Sequence, residues 1–260
     1  MTYQGIDTAA RISAEAAKIL RNNGISFVGR YLVPQSMSKA LTAKETSAIR
    51  DAGLAILLCW EMEANAIRQG AERGATDGQR AKQCAEELGV PAGTCIFFAC
   101  DYNIPYGDLQ TAEKYLKAAQ TALGGKYVAG MYGPQKLMAF LSEGNICRHL
   151  WQCVAWSSFF HDSVSVRQYE WQGGANAKAL ASKVGFDVDL DDCADMAAAG
   201  LWMPDAAKPW YADAMEWAEE NGLIMDGRPN DYVTRAELAT VLYRIYGPEE
   251  QGGQRPPIVR

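Results

Sequence analysis

The chain has 260 residues, of which 48% are hydrophobic and 22% charged, and its formal net charge is −6. This length is enough for one barrel, or for a large and a small domain. An acidic chain without a cluster of Lys and Arg binds nucleic acid poorly, so we expect no nucleic-acid partner. Residues 1–7 lack the basic and apolar regions of a signal peptide. No stretch reaches 18 apolar residues, so we also expect no membrane span.

The seven cysteines and two histidines do not form a recognisable metal or nucleophile motif. There is no CxxC pair, so the usual zinc patterns are absent, and we expect neither a metal ion nor another cofactor. A cysteine nucleophile would need His149 or His161 as its partner, and neither histidine stands in a known motif. Four cysteines lie inside apolar runs and are predicted to be reduced core residues: Cys59, Cys95, Cys100 and Cys153.

Short apolar runs alternate with helical patterns over the first 190 residues. We predict eight strands, at residues 3–7, 25–32, 54–60, 94–100, 127–132, 149–156, 165–171 and 186–190. The helices between them have recognisable ends, such as Gly24 after the first helix and a capping box from Thr42 to Glu45. Asp108 can cap the helix that runs to Leu123. The link between the sixth and seventh strands is short enough to lack a helix.

This alternation predicts an α/β fold with a parallel sheet covered by helices. Eight units in about 190 residues favour a closed TIM-type (β/α)8 barrel over residues 1–193. An open doubly wound sheet is the alternative fold. If it bound a nucleotide, it would carry a glycine-rich loop after its first strand, and residues 8–11 contain no glycine.

The rest of the chain is predicted to be a linker, a small helical module and a tail. Residues 194–209 contain Pro204 and Pro209 and are predicted to be a linker. Two amphipathic helices follow at 210–247, the second of them behind a capping box from Thr234 to Glu237. So small a unit is marginal alone, so we expect it to dock on the barrel or on a copy of itself. The tail at 248–260 is rich in Gly, Pro and Gln and is predicted to be disordered.

Acidic residues close or follow four of the predicted strands. Asp7 closes the first strand, Glu61 follows the third and Asp101 the fourth, while Asp187 and Asp189 lie on the eighth. In a β/α barrel the carboxyl ends of the strands surround the active site, so we expect these carboxylates to meet at one pocket. The alternative is that each acid merely begins a polar loop.

Aromatic residues accompany these acids at the strand ends: Trp60, Tyr132, Trp156 and Trp171. Aromatic faces stack on sugar rings, and carboxylates catalyse glycosidic cleavage. No group of Arg and Lys joins them, which favours a carbohydrate over a phosphate-bearing ligand. Gln152, Gln168 and Gln172 could add contacts to sugar hydroxyls. Packing in the core is the alternative role for each tryptophan.

Several short motifs occur in a recognisable order: Gly5-Ile-Asp7, Trp60-Glu61, Ile96-Phe-Phe-Ala-Cys-Asp101, Gly130-Met-Tyr-Gly133, Trp151-Gln152, Ala155-Trp156 and Val188-Asp189. Over residues 3–192 they resemble the bacterial glycoside-hydrolase-like barrels first catalogued as domain of unknown function 1906. That group is similar to the glycoside hydrolase family 25 lysozymes, which cut the glycan strands of peptidoglycan. The C-terminal motifs Trp210-Tyr-Ala-Asp-Ala-Met-Glu-Trp217-Ala, Asn221-Gly-Leu-Ile and Thr234-Arg-Ala-Glu237 resemble one S-layer homology repeat.

The two resemblances together imply a protein that acts at the bacterial cell wall. S-layer homology repeats bind secondary wall polymers, usually as a set of three, so residues 210–247 are expected to bind such a polymer. The barrel is expected to bind the wall glycan. A barrel joined to a wall module resembles a phage or prophage lysin from a Gram-positive host. Such a lysin would stay in the cytoplasm until a holin released it.

The sequence departs from the lysozymes at one position. They place an Asp-x-Glu pair after the fourth strand, with the Glu as principal acid, and here the triplet is Asp101-Tyr102-Asn103. Asparagine cannot transfer a catalytic proton, so Asn103 is a candidate only for substrate binding. The resemblance then implies another acid: Glu61 is the first choice and Asp189 the second, with Asp101 and Asp7 as electrostatic partners. The alternative is a barrel that binds wall glycan without cleaving it.

Overall fold

A computed structural model describes residues 2–204 of the chain. The chain divides into two units, residues 1–207 and residues 208–260. The predicted wall module at 210–247 and the predicted tail at 248–260 lie outside the described residues, as do residues 205–209 of the predicted linker.

Eight strands form a closed barrel in chain order, which confirms the predicted fold class. The strands are β1 (Tyr3–Asp7), β2 (Ile25–Tyr31), β3 (Ala55–Trp60), β4 (Cys95–Ala99), β5 (Val128–Gly133), β6 (Leu150–Cys153), β7 (Val166–Glu170) and β8 (Asp189–Cys193). The helices are α1 (Ala14–Asn22), α2 (Ala43–Asp51), α3 (Gly70–Glu87), α4 (Leu109–Leu123), α5 (Gln135–Glu143) and α6 (Ala175–Val184). Short 3-10 helices precede α3 and α4. The link between β6 and β7 contains no helix, as predicted.

The last strand differs from the prediction in position and in direction. β8 begins at Asp189 and runs antiparallel to both β7 and β1, whereas we predicted a parallel strand at 186–190. After α6 the chain returns to the rim where β1 ends, so it enters β8 from that rim. Asp189, at the start of β8, therefore pairs with Asp7, at the end of β1. An apolar run in the sequence carries no sign of its direction, so this reversal could not be predicted.

Side chains that alternate along the strands build two cores. Those pointing outward pack under the helices, and those pointing inward fill the barrel, among them Phe27, Leu57, Phe97 and Trp151. Gly5 of β1 makes room for this inner layer, because a Cβ atom there would overlap the ring of Phe27. The interior below the rim is therefore packed, and ligand access is confined to the ends of the barrel.

The segment after β8 covers the amino-terminal end of the strands. The backbone of Trp202 pairs with Ile56 at the start of β3, and the Gly200 carbonyl accepts a hydrogen bond from the Cys95 amide. Ala199 and Leu201 are buried and extend the inner core. The predicted linker therefore does not begin at residue 194. Its prolines suggested an extended connection, but its apolar side chains close the base of the barrel.

A buried ion pair holds the loop between β1 and α1. The Arg30 Nε atom lies 2.7 Å from Glu45 Oε1, and both side chains are almost completely buried. Arg30 also donates to the Thr8 carbonyl at 2.5 Å, and Glu45 accepts from the Ile12 amide at 2.9 Å. Thr42 caps α2 by accepting from the Glu45 amide, as predicted. The Glu45 side chain, however, serves the loop instead of completing the capping box.

The remaining local predictions have mixed outcomes. All seven cysteines are free, and the four predicted to be core residues are buried, which confirms their structural role. Asp108 precedes α4, but its carboxylate makes no capping hydrogen bond. It pairs instead with Arg68 at 3.0 Å, since the 3-10 turn before α4 directs it away from the helix end. Among the described residues, no helix combines the length and apolar character needed to cross a bilayer.

Candidate functional site

A cavity of about 510 Å³ opens at the rim where β1 and β2 end and β8 begins. The loop fixed by the Arg30–Glu45 pair forms one wall, and the segment before β8 forms another. Three of the predicted acids line this cavity: Asp7, Asp187 and Asp189. The antiparallel course of β8 is what brings Asp189 to this rim, because a parallel β8 would start at the opposite end.

One amide joins the two acids that face each other across β1 and β8. The Gln168 Nε2 atom donates to Asp7 Oδ2 at 2.7 Å and to Asp189 Oδ2 at 3.1 Å. The Tyr132 hydroxyl donates to Gln168 Oε1 at 3.0 Å, which fixes the orientation of the amide. The Gln172 amide donates to Asp189 Oδ1 at 2.6 Å. The two carboxylates are therefore close together and held in place by neutral donors.

Beneath this pair lies a third acid that the sequence analysis missed. Asp191 is completely buried, and its Oδ1 atom accepts a hydrogen bond from Trp151 Nε1 at 2.8 Å. Its carboxyl also interacts with that of Asp7. Asp191 lies two residues beyond Asp189 on the same strand, so the two side chains share one face. That spacing was visible in the sequence and could have identified it.

Burial and like charges perturb these acids strongly. Burial, followed by the charges of Asp189 and Asp101, raises the pKa of Asp7 from 3.8 to about 7, although hydrogen bonds from Gln168 and Asp191 lower it. Burial also raises the pKa of Asp189 and, with the charge of Glu61 next, the pKa of Asp101. Near neutral pH the cavity therefore holds, in Asp7, a carboxyl that can carry a proton.

Glu61, predicted as the principal acid, is engaged in an ion pair. Its Oε1 atom lies 3.5 Å from Lys39 Nζ, which also stands 4.1 Å from the ring centroid of Tyr31. Tyr31 lines the cavity. The structure therefore places Glu61 beside the other acids but with a cationic partner, and Asp7 is the better candidate for a proton donor.

The triplet that departs from the lysozymes lies just beyond β4. Within residues 2–204, no hydrogen bond or salt bridge engages the Asp101 carboxylate, although its backbone amide donates to the Ala64 carbonyl at 2.9 Å. The carboxylate is therefore available to a ligand. Asn103, two residues further, is exposed to solvent. No group of three or more His, Cys, Asp or Glu side chains in this part of the chain is arranged as a metal site.

The structure separates the predicted tryptophans. Trp60 is only 1% exposed and packs on the outer side of β3 under the helices, so it cannot stack on a sugar as predicted. Its neighbour Cys59 points into the barrel, and alternation along the strand turns Trp60 outward. Trp156 and Trp171, by contrast, are 47% and 60% exposed in the segments after β6 and β7. Only these two have faces open to a ligand.

Tyr132 and Gln152 contribute to the site indirectly. Tyr132 packs against the ring of Trp151, with 4.5 Å between the ring centroids, and holds Gln168 through its hydroxyl. Gln152 is buried, donates to the Phe159 carbonyl at 2.6 Å and accepts from the His161 amide at 2.9 Å. The prediction that Gln152 contacts the sugar is therefore wrong in this structure. Gln152 faces away from the barrel interior and holds the loop between β6 and β7.

Solved structures of bacterial proteins share this fold. The Tat-secreted protein Rv2525c of Mycobacterium tuberculosis has a TM-score of 0.63 and 19% identity, covering 77% of this chain and 98% of that chain. A Bacillus stearothermophilus protein has a TM-score of 0.56 and 19% identity, covering 77% and 100%. The modular autolysin LytC of Streptococcus pneumoniae, solved with a synthetic peptidoglycan ligand, has a TM-score of 0.51 and 14% identity, covering 74% and 46%.

Two Bacillus subtilis proteins are similar in sequence. YbfG is 34% identical over 168 residues, which is 57% of this chain and 22% of YbfG. FadG is 27% identical over 146 residues, which is 53% of this chain and 25% of FadG. The chain thus matches a quarter or less of the length of these relatives.

Family models match both parts of the chain. The S-layer homology domain matches residues 204–239, which confirms the predicted repeat, although the match begins earlier on the chain, and indicates association with the cell wall. The predicted cytoplasmic stage before release stays a prediction. The model for the Rv2525c-like, glycoside hydrolase-like domain matches residues 18–201, well over half of the chain. The chain therefore belongs to the Rv2525c-like, glycoside hydrolase-like domain family.

Proposed function

We propose that this chain is a cell-wall-directed glycosidase whose acidic cavity cleaves peptidoglycan or a related wall glycan. The observation that carries the proposal is the state of Asp7: its pKa is raised to about 7, and it lies in an open cavity beside Asp189. Glycosidases need a carboxyl that is protonated near the working pH next to a second carboxyl that is charged.

The contacts within the site support distinct roles for the acids. Asp7 would protonate the glycosidic oxygen of the leaving sugar. The Asp101 carboxylate would stabilise the positive charge that develops on the sugar ring, or would activate water. Asp189 would maintain the raised pKa of Asp7 through its charge, since Gln168 and Gln172 hold it in place.

The exposed aromatic side chains support a carbohydrate as the ligand. Trp156 and Trp171 present open faces in the segments after β6 and β7, and Trp171 follows the strand that carries Gln168. The exposed Asn103 and Asp187 would bind sugar hydroxyls. Lys39 stands beside the acids, but Glu61 already pairs with it, which disfavours a phosphate-bearing ligand.

As part of the same proposal, the chain acts as a lysin of phage or prophage origin. A glycoside hydrolase-like barrel followed by an S-layer homology domain would bring a glycosidase to a wall polymer of a Gram-positive cell. Lysis of intact Gram-positive cells by added protein tests this part. Cleavage of purified walls without lysis of cells would contradict the lytic role and leave the glycosidase.

A second candidate function is the binding of wall glycan without cleavage. It is favoured by Asn103, which stands where the lysozymes carry their acid, and by the ion pair that engages Glu61. In this case the acids would hydrogen-bond sugar hydroxyls, and Trp171 would supply the stacking surface.

One experiment separates the two functions. The full chain is incubated with purified walls from several Gram-positive species, and the reducing ends released and the protein bound are both measured. The glycosidase predicts release that is lost in Asp7→Asn and Asp101→Asn and kept in Glu143→Gln, which alters an exposed acid on α5. Saturable binding with no release from any wall would favour the second function. The Trp171→Ala protein should bind soluble glycan fragments more weakly than wild type, whereas the Trp60→Phe protein should bind them as wild type does.

A further inference from the structure

Asp191 has one buried carboxyl oxygen with no hydrogen-bond donor among the described residues. The side chain is completely buried, and Trp151 donates to its Oδ1 atom at 2.8 Å. Its Oδ2 atom is buried as well, and no donor within residues 2–204 reaches it. Leaving such an atom without a partner costs free energy, so the state of this carboxyl needs an explanation.

The neighbour of Asp191 is another carboxyl, that of Asp7. Asp191 pairs with Gly5 across β1 and β8, and Asp189 pairs with Asp7. Because Gly5 has no side chain, Asp191 lies beneath Asp7 without obstruction, and the two carboxyls interact directly. An ionised carboxylate can only accept hydrogen bonds, so a hydrogen bond between these two groups requires a proton on one of them.

We propose that Asp191 is a neutral carboxylic acid that donates its Oδ2 hydrogen to Asp7 and thereby acts as a positioning residue for Asp7. The proton belongs on Asp191 because this side chain has no contact with solvent. Asp7 lines the cavity and accepts a further hydrogen bond from Gln168, so it is the group better able to carry the negative charge. A proton on Asp191 also gives its Oδ2 atom a partner.

This hydrogen bond would lower the pKa of Asp7. Its importance for catalysis rests on the proposed function. Burial raises the pKa of Asp191 well above its usual value, and the hydrogen bond lowers the pKa of Asp7. Other ionisable groups also face Asp7 from the surrounding strands and the segments after them: Tyr31, Cys59, Asp101, Tyr132, Cys153 and Asp189. Asp191 would be the donor that, against the effect of these groups, keeps Asp7 acidic enough to work near neutral pH.

Infrared spectroscopy of the full chain tests the proton directly and does not need catalysis. At about pH 9 ordinary carboxyl groups are ionised. We expect the wild-type protein to keep a carbonyl band of a neutral carboxylic acid at this pH, and we expect that band to be absent from Asp191→Asn. A wild-type spectrum without the band, or a band that survives in Asp191→Asn, would overturn the inference.

A carbon-13 NMR titration of the Asp7 carboxyl tests the coupling. Asparagine at position 191 can donate to Asp7 and accept from Trp151, so Asp191→Asn should leave the Asp7 midpoint almost unchanged. Asp191→Leu removes the donor and should raise the midpoint by about one unit. If Asp191 were charged, Asp191→Asn would remove a negative neighbour and lower the midpoint clearly, which would refute the proposal even if Asp191→Leu failed to fold.

The two ideas fail separately. If both spectroscopic results are as expected and no wall is cleaved, the proposal that Asp191 is protonated holds and the proposal of glycosidase activity is wrong. If walls are cleaved but Asp191→Asn lowers the Asp7 midpoint, the glycosidase stands and the role of Asp191 is wrong. When walls are cleaved, the alkaline limb of the pH profile should move to higher pH in Asp191→Leu and stay in place in Asp191→Asn.

Discussion

Replacement of Asp7 by asparagine should stabilise the protein at alkaline pH. Burial and neighbouring charges raise the pKa of this carboxyl from 3.8 to about 7. One pKa unit corresponds to about 1.4 kcal/mol, so ionising Asp7 costs the folded state about 4 kcal/mol as an upper bound. Asp7 lines an open cavity, and solvent there screens its charge, so we expect about 2 kcal/mol. Asparagine carries no charge and can still accept from Gln168.

The sign of the effect follows from the two pKa values. Between pH 3.8 and about 7 the folded protein keeps a proton on Asp7 that the unfolded chain has lost. The free energy of unfolding therefore falls as the pH rises through this window, and the loss is complete above it. Asp7→Asn abolishes this loss. Its advantage over wild type should be near zero at about pH 4 and should reach its full size at about pH 8.

Urea unfolding at several pH values measures this difference. The fluorescence of the buried Trp60, Trp151 and Trp202 reports the unfolding of the barrel. Asp187→Asn is the matched control, because it removes a carboxylate that lines the same cavity but is exposed. An Asp7→Asn protein no more stable than wild type at pH 8, or a gain of the same size at every pH, would refute the reasoning.

The remaining predictions concern helix packing and a buried ion pair. Gly78→Ala should destabilise the protein by about 1–3 kcal/mol, because the added Cβ would lie 2.6 Å from the Ala119 carbonyl oxygen on α4. Gly107→Ala meets open space and should change the melting temperature little. Arg30→Met should cost about 3–5 kcal/mol in urea unfolding, because it leaves Glu45 buried without its charge partner. An equal effect from Lys117→Met, which breaks an exposed pair, would contradict this reasoning.

Much of the barrel could be predicted because local patterns and tertiary structure agree. β1 has the predicted bounds, and the Ser13 side chain and Gly24, whose φ is 84°, mark the ends of the first helix. The direction of β8 could not be predicted from the sequence, because it depends on the end of the barrel to which the chain returns after α6. The segment at residues 195–202 was wrongly predicted to be a linker for a related reason. Its apolar side chains are few, and their contact with the base of the barrel is visible only in the folded structure.

The site was predicted in part. The positions of Asp7 and Asp101 followed from the rule that the carboxyl ends of the strands surround a barrel's active site, whereas Asp189 reaches this rim because β8 is antiparallel. Trp60 was misplaced because the face of a strand that points inward depends on register, and neighbouring residues face opposite ways. Asp191 was missed although its spacing from Asp189 placed it on the same face. The ion pair between Lys39 and Glu61 joins two loops and has no signal in the sequence.

The initial rate of reducing-end release from purified walls, measured as a function of pH, tests most directly whether Asp7 is the proton donor of a glycosidase. The rate should fall as the pH rises through about 7, where Asp7 loses its proton. Asp7→Asn should release nothing at any pH while remaining folded. No release by the wild-type protein, or a rate that rises steadily through pH 7, would contradict this account.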